Sequence, residues 1–273
     1  MIKLIAVDMD GTLLNDNHLY NKEKFLALFK TMQQKNIKFV AASGSQYQRL
    51  RHKFSEVADQ IGYISQNGAI VHNASDMMQI AEITEDQVHQ ILDLIAKIFP
   101  KDFVLNELVS GLGGTYVNQS IDPLGFKFVK QYFRPVFKVP SLAKISAATV
   151  GDNFTKVSVS FAQGVNLDEV TEKIRQNLPE QLKVENSGFN TDLIGSGIAN
   201  KRSGIKVFQK LFNISDDEVV AFGDNENDLS MLTMNANSYA MKNSAEKIKK
   251  AAGHVTKWDN NHDGVLKTIE EII

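Results

Sequence analysis

The chain has 273 residues, 43% of them hydrophobic, enough to bury one or two substantial cores. A formal net charge of −2 leaves no basic footprint for nucleic acid, and the absence of cysteine excludes disulfides, thiolate catalysis and thiolate metal sites. No apolar run approaches the length of a membrane span, and Met1 leads into a strand containing Lys3, unlike a signal peptide, so a cytoplasmic protein without membrane or nucleic-acid partners is expected.

Ile2, Leu4, Ile5, Ala6 and Val7 make a short, nearly continuous apolar run, the pattern of a strand buried on both faces of a parallel sheet. The run stops at Asp8, and Asp10 follows after one residue, at the strand end where open α/β sheets place their ligands. Gly11 permits a tight turn, and Thr12 can satisfy backbone or ligand groups there. A solvated acidic turn is the bland account of these letters. It leaves unexplained why an apolar strand delivers two acids so close together, since their repulsion costs energy unless a cation offsets it.

Phe25, Leu28, Phe29 and Met32 recur at helical spacing over 21–35, and KFVAA at 38–42 reads as a second buried strand, giving a βαβ unit. That strand ends at Ser43-Gly44-Ser45. A helix is expected over about 46–57, then a weak strand at Tyr63 and Ile64. Asn67-Gly68 is a hairpin signal, with Ile70 and Val71 returning. It is equally a plain turn or a lining of the site.

The texture then changes. Val88, Ile91, Leu92, Ile95 and Phe99 predict an amphipathic helix stopped by Pro100, followed by strands at 103–108 and 115–117 around a glycine-rich turn at 111–114. A helix over 126–133 precedes KVSVSF at 156–161, which alternates as a half-exposed antiparallel strand. Leu167, Val170, Ile174 and Leu178 mark another helix, and 182–184 another strand. This mixture suggests an α+β module. From about Asp192 the α/β rhythm returns, with a helix opening at Lys201, a capping box at Ser215 and Glu218, a buried strand VVAF at 219–222 ending in Gly223-Asp224-Asn225, and helices around 229–234, 245–251 and 265–272. The expected architecture is an α/β, doubly wound parallel-sheet core over 1–81 and 188–273 with an inserted α+β cap domain over 82–187.

Asp8 with Asp10, Ser43-Gly44, Lys201 and DNEND at 224–228 therefore converge on one rim. Hard-oxygen ligands from Asp8, Asp224 and the backbone carbonyl of Asp10 suit Mg²⁺, which is held by a few carboxylates, waters and a phosphate. Lys201, the Ser43 hydroxyl and nearby backbone N–H groups suit phosphate oxygens. Such a set fits phosphoryl transfer, for which a carboxylate nucleophile is one solution.

DMDGTLL at 8–14, Ser43-Gly44, Lys201 and GDNENDLSML at 223–232 resemble, in order and position, the four motifs of the haloacid dehalogenase superfamily of phosphatases. The resemblance implies that Asp8 is the nucleophile and Asp10 the general acid/base. It implies further that Ser43 and Lys201 bind the phosphoryl group, that Asp224 binds Mg²⁺, that Asp228 supports the metal or Lys201, and that Asn227 contacts phosphate. The backbone around Met9 and Gly44 is expected among the phosphate-binding groups, with Asn67 as a supporting residue. An insertion between Ser43 and Lys201 is similar to the Cof-type branch, subclass IIB. SGSQYQRL at 43–50, SGFNTDLI at 187–194 and DNNHDG at 259–264 look like its bacterial sugar phosphatase group. Many Cof-type members carry Thr-Gly-Arg where this chain has Ser43-Gly44-Ser45, so a bidentate phosphate contact is missing. Arg49 reads as a helical surface arginine or as the replacement for that contact.

The implied activity is a phosphatase for small phosphorylated metabolites, most of all sugar phosphates, acting as a monomer or homodimer. A phosphosugar mutase and a phosphometabolite-sensing binding module are the rival readings. An ion-pumping ATPase is disfavoured, because that relative carries Thr where Asp10 stands. Asn106, Glu107, Tyr116 and Lys156 in the cap, and Gly188 and Asn190 at the return to the core, are candidate specificity residues, with Asp192, Asn200 and His262 weaker. Asp259, Asn261, Asp263, Gly264 and Glu270 formally match a calcium-loop pattern. No helix is expected to enter that loop, and Lys267 occupies its ninth position, so a loop beside the site is the expected role.

Overall fold

The computed structural model describes residues 1–186 and 190–273. The chain runs β1 (Leu4–Val7), α1 (Lys22–Gln34), β2 (Lys38–Ala42), α2 (Tyr47–Lys53), β3 (Gly62–Ser65), β4 (Ile70–Asn73) and β5 (Asp76–Ile80). Next come α3 (Glu85–Ile98), β6 (Val104–Gly111), β7 (Thr115–Asn118), α4 (Pro123–Tyr132), β8 (Val136–Val139), α5 (Ala147–Val150), β9 (Phe154–Phe161), α6 (Leu167–Arg175), β10 (Leu182–Asn186) and β11 (Thr191–Ser196). It ends with α7 (Lys201–Phe212), β12 (Val219–Gly223), α8 (Leu229–Leu232), β13 (Ser238–Ala240), α9 (Glu246–Ala251), β14 (His254–Val255) and α10 (Gly264–Ile272). Two compact units result, Met1–Gln79 with Asn200–Ile273, and Ile80–Ala199.

The first unit is built on a sheet ordered β14-β13-β12-β1-β2-β3-β4-β5, parallel from β14 through β3. β1 is central and wholly buried, with β12 and β2 in register on its two sides. Its alternate residues serve two cores. Ile5 and Val7 pack with Phe25, Phe29 and Met32 of α1 and with Val265 and Ile269 of α10. Leu4 and Ala6 pack with Ile205 and Phe208 of α7 and with Met231 of α8. This is the doubly wound arrangement expected from apolar strands without alternation. The β3–β4 hairpin closes through residues 66–69, with Ser65 opposite Ile70.

The second unit carries a sheet ordered β10-β11-β9-β6-β7-β8, antiparallel except for β7 and β8. One face packs on α3 and α6 through Val88, Ile91, Ile95, Val170 and Ile174, and Val129 of α4 packs with Leu108 and Val117. Two expectations need correction. The strand read as half-exposed at 156–161 is buried throughout: β9 is interior to the sheet between β6 and β11, Val157, Val159 and Phe161 pack with α3 and α6, and Lys156, Ser158 and Ser160 on its other face are buried as well. The return to the core from about Asp192 comes later. β11 pairs antiparallel with both β9 and β10, so 190–199 stay with the inserted unit and the core resumes at Asn200. The boundary placed at 187/188, with Gly188, lies outside the described residues. Among those described, no helix is long and apolar enough to cross a membrane.

Candidate active site

Because β12, β1 and β2 are adjacent and parallel, their carboxyl ends place Asp224, Asp8 and Ser43 side by side. The backbone N–H of Asp8 donates to the Phe222 carbonyl (3.0 Å), which carries the sheet pairing to the last residue before the site. The turn that follows is tied down by Thr12 and Leu14 N–H donating to the Met9 carbonyl (3.3 and 2.8 Å). Met9 buries its side chain in the core, so only its backbone belongs to the site. Gly11 stands at φ 81°, and a Cβ there would lie 2.5 Å from Asp224 Oδ2, so the close approach of the two loops requires glycine.

Lys201 opens α7, whose N-cap Asn200 accepts a hydrogen bond from Ser203 N–H (2.8 Å). The lysine is fully buried. Its Nζ donates to Asp8 Oδ1 and to Asp228 Oδ1, each at 2.5 Å. The other Asp228 oxygen, Oδ2, accepts from the backbone N–H of Asp224 (2.9 Å) and Asn225 (3.1 Å), so Asp228 orders the loop that carries Asp224. Thr12 Oγ1 donates to Asp224 Oδ1 at 2.7 Å. Carboxylate oxygens of Asp8, Asp224 and Asp228 lie within 4.8 Å of one another.

Three carboxylates against one ammonium leave an excess of negative charge in a buried place. Burial, then Asp228 and Asp224 against the opposing Lys201, raises the Asp8 carboxyl well above the carboxylate range. Burial and then Asp228 push Asp224 up to about 7. Burial works against the Lys201 ammonium, but Asp228 and Asp8 outweigh it and hold its pKa above the ordinary lysine value. An all-oxygen donor set carrying this excess fits a hard divalent cation. With both Asp228 oxygens committed to Lys201 and the loop, Asp8 and Asp224 are the carboxylates suited to hold it.

Asp10 faces a different network. Arg49 Nη2 donates to its Oδ1 (3.1 Å), Arg49 Nη1 to its Oδ2 (3.4 Å), and His18 Nδ1 lies 3.2 Å from Oδ1. The reading of Arg49 as a helical surface arginine is therefore overturned, because its guanidinium bridges Asp10 and Ser45. Ser43 is buried, its Oγ accepting from Ser45 N–H (3.1 Å) and its carbonyl from Asn67 N–H (2.9 Å). Gly44 sits half-buried in the bend between them. Asn67 (φ 56°) and Gly68 (φ 93°) make the turn, and a Cβ at Gly68 would lie 2.1 Å from the Asn200 carbonyl oxygen. The Asn67 side chain reaches the site loop as an acceptor from Asn227 Nδ2 at 3.2 Å, so this hairpin is more than a plain turn.

Other candidates have structural partners. Tyr116 donates to Asp152 (2.9 Å), which also grips the glycine-rich turn through Leu112 and Gly113 N–H. Asp192 accepts from Thr171 (2.9 Å) inside the cap. Asn190 accepts at its carbonyl from Phe161 N–H (2.8 Å). Burial lowers the Lys156 ammonium to about 8, against Glu185, and raises Glu107. Asn106 pairs opposite Ser160 across β6 and β9. The calcium-loop residues are engaged elsewhere: Asp259 with His262 (2.6 Å), Asn261 with Asp16 (3.0 Å), Asp263 with Asn21 (3.1 Å) and Glu270 with Lys24 (2.6 Å). That loop buttresses the segment after the first motif, with Asn260 donating to the Leu14 carbonyl (3.1 Å).

His18 and Asn243, which donates to the Gly11 carbonyl (2.8 Å), escaped the sequence reading, and no local pattern marks either. Arg49 had a signal: it lies four residues after Ser45, one helical turn on.

Comparison with known proteins places the chain in a family. The profile of the haloacid dehalogenase-like hydrolases matches residues 5–269. The 5-amino-6-(5-phospho-D-ribitylamino)uracil phosphatase YbjI of Escherichia coli is 31% identical over 280 residues, spanning 100% of this chain and 96% of that protein. The crystal structure of SMU.1108c from Streptococcus mutans is similar with a TM-score of 0.90 at 27% identity, covering 99% of this chain and 98% of the other. The subclass IIB sugar phosphatase BT4131 matches with a TM-score of 0.80 at 22% identity, covering 98% of each, a likeness of fold alone. The chain belongs to the haloacid dehalogenase-like hydrolase family. Within it, the chain is a hydrolase of the phosphatase kind.

Proposed function

We propose that the chain is a Mg²⁺-dependent phosphomonoesterase that hydrolyses small phosphorylated metabolites, sugar phosphates foremost, through an aspartyl-phosphate intermediate. The observation that carries this reading is the buried cluster in which Lys201 bridges Asp8 and Asp228 with Asp224 alongside. In phosphoryl transfer, positioning and charge neutralisation supply most of the catalysis, and this cluster offers both.

In this reading an Asp8 carboxylate oxygen attacks phosphorus. The bond from phosphorus to the leaving oxygen breaks, and Asp10 gives its proton to the departing alkoxide. A water then loses a proton to Asp10 while its oxygen attacks phosphorus, and the phosphorus–oxygen bond to Asp8 breaks. Both carboxyls return to their starting states. Mg²⁺ held by Asp8, Asp224 and the Asp10 carbonyl would supply charge neutralisation at the phosphoryl oxygens. Lys201, Ser43, Asn227 and the backbone around Met9 and Gly44 bind the phosphoryl group. Asp228 holds Lys201, and Asn67 orients Asn227. The cap confers most of the specificity and excludes water.

The sugar assignment draws on the Escherichia coli relative, which is named for a phospho-ribityl compound, and on the fold likeness to a sugar phosphatase. A cytoplasmic monomer or homodimer acting on a small molecule completes the reading.

The test is phosphate release from hexose and pentose phosphates, the phospho-ribitylamino compound, nucleotides and p-nitrophenyl phosphate, with Mg²⁺ and with EDTA. Mg²⁺-dependent release from the sugar or ribityl esters is expected. Release from p-nitrophenyl phosphate alone would discard the sugar assignment, and no release from folded protein would discard the phosphatase reading.

A further inference from the structure

α2 begins directly after the loop at the carboxyl end of β2, so its first turn lies beside the site. One residue of that turn reaches back. Arg49 presents its planar guanidinium to both oxygens of Asp10, at 3.1 and 3.4 Å, and Nη1 also donates to Ser45 Oγ at 2.7 Å. A carboxylate met by such a fork is fixed in direction as well as in charge, which a lysine's point charge does not achieve. Ser45 is itself anchored, its N–H donating to Ser43 Oγ at 3.1 Å. His18 flanks the same Asp10 oxygen from the other chain segment at 3.2 Å. Lys201, in contrast, spends its two short bonds on Asp8 and Asp228. Lys201 and Arg49 therefore engage different carboxylates, Asp8 with Asp228 for the lysine and Asp10 for the arginine.

We propose that Arg49 is a positioning residue that holds the Asp10 carboxyl in the rotamer from which it passes protons, and that Ser45 holds Arg49 in turn. This inference rests on the acid/base role proposed for Asp10. The rival task for Arg49 is direct contact with the phosphoryl group. The two separate by leaving group, because a sugar alkoxide needs a proton as it departs and p-nitrophenolate does not.

The experiment compares kcat/KM, which reports the first chemical step, for ribose 5-phosphate and p-nitrophenyl phosphate in wild type, Arg49→Met, Arg49→Lys and Ser45→Ala, with inhibition by inorganic phosphate measured alongside. Arg49→Met is expected to lose on the order of 30-fold on ribose 5-phosphate, a fraction of a full general-acid contribution, and less than about 3-fold on p-nitrophenyl phosphate. Inhibition by phosphate should stay within about 2-fold, and Arg49→Lys should recover part of the loss. Ser45→Ala should show the same asymmetry at smaller size, and serves in place of Arg49→Met should that variant not fold. Equal losses on both esters, or a tenfold weaker phosphate inhibition, would overturn the inference while leaving the phosphatase reading intact. A wild type inactive on both esters would overturn that reading, and this inference with it.

Discussion

Replacing Asp224 by Asn removes one of the three carboxylates gathered around one ammonium. Burial, and next the charge of Asp228, raise Asp224 from 3.8 to about 7. The difference is about 3 units, and at about 1.4 kcal/mol per unit the folded chain binds this proton on the order of 4 kcal/mol more tightly than the unfolded chain does. The sign follows from the direction. Between pH 4 and 7 the folded state carries more protons, so metal-free protein loses stability as pH rises through that window. Asp8, raised for related reasons, adds a loss of the same sign. Asp224→Asn keeps an oxygen for the Thr12 hydroxyl, carries no charge, and relieves Asp8 of one repulsive neighbour. Urea unfolding in EDTA at pH 5, 6, 7 and 7.5 should show wild type falling steadily and the variant falling less, ending more stable than wild type at pH 7.5. Mg²⁺ at about 100 times its dissociation constant should return about 2.7 kcal/mol to wild type at pH 7.5 and little to the variant. Because His72 changes stability in the opposite sense over the same range and is common to both proteins, the difference between them is the readout: a variant with the wild-type slope from pH 5 to 7.5 in EDTA would mean that Asp224 carries no raised pKa.

Lys201→Met leaves Asp8 and Asp228 buried without their shared cation, and should cost about 3–5 kcal/mol in urea unfolding at pH 7 together with all turnover; a cost below about 1 kcal/mol would mean that the carboxylates find other partners. Asp8→Asn should abolish phosphate release while far-ultraviolet circular dichroism stays that of wild type, and measurable turnover would remove Asp8 from the nucleophile's role. His72 stacks on Tyr47 with centroids 3.8 Å apart, its buried Nδ1 has no hydrogen-bond partner among the described residues, and burial, then Arg51, lowers its pKa below 6.5. Protonation is thus easier in the unfolded chain, and stability drops as pH falls through 6.5. His72→Phe keeps the stack and should remove that part of the loss between pH 7.5 and 5.5, measured as the difference in unfolding free energy between the two proteins.

The core was legible because its strands carry a pattern that few structures other than a covered parallel sheet produce. Leu4 to Val7 and Val219 to Phe222 lack alternation, and both lie wholly inside the sheet. The cap was less legible for the converse reason. KVSVSF alternates in chemistry, but alternation reports exposure only when one face meets water, and both faces of β9 are buried. β11 misled in the same way, since DLI reads as readily into a parallel core as into the antiparallel ladder where it pairs. β5, β8 and β13 are short strands completed by their neighbours, and their sequences alone carry too little periodicity to mark them.

At the site, residue identity was legible and side-chain direction was not. The spacing of DNEND placed Asp224 and Asp228 together, but only the fold shows that Asp228 turns one oxygen to Lys201 and the other to two backbone N–H groups. It is this commitment that leaves Asp8 and Asp224 with the unneutralised charge. Arg49 shows the same limit from the other side, because helical spacing relates it to Ser45, whereas its approach to Asp10 crosses between chain segments and has no sequence periodicity. A cluster that pushes Asp224 up to about 7 and Asp8 well above its ordinary value is a poor way to stabilise a fold, and burying a lysine against Asp8 and Asp228 relieves only part of the repulsion. The arrangement makes physical sense as one half of a binding equilibrium, in which a divalent cation and a phosphate supply the charges that the folded chain leaves unbalanced.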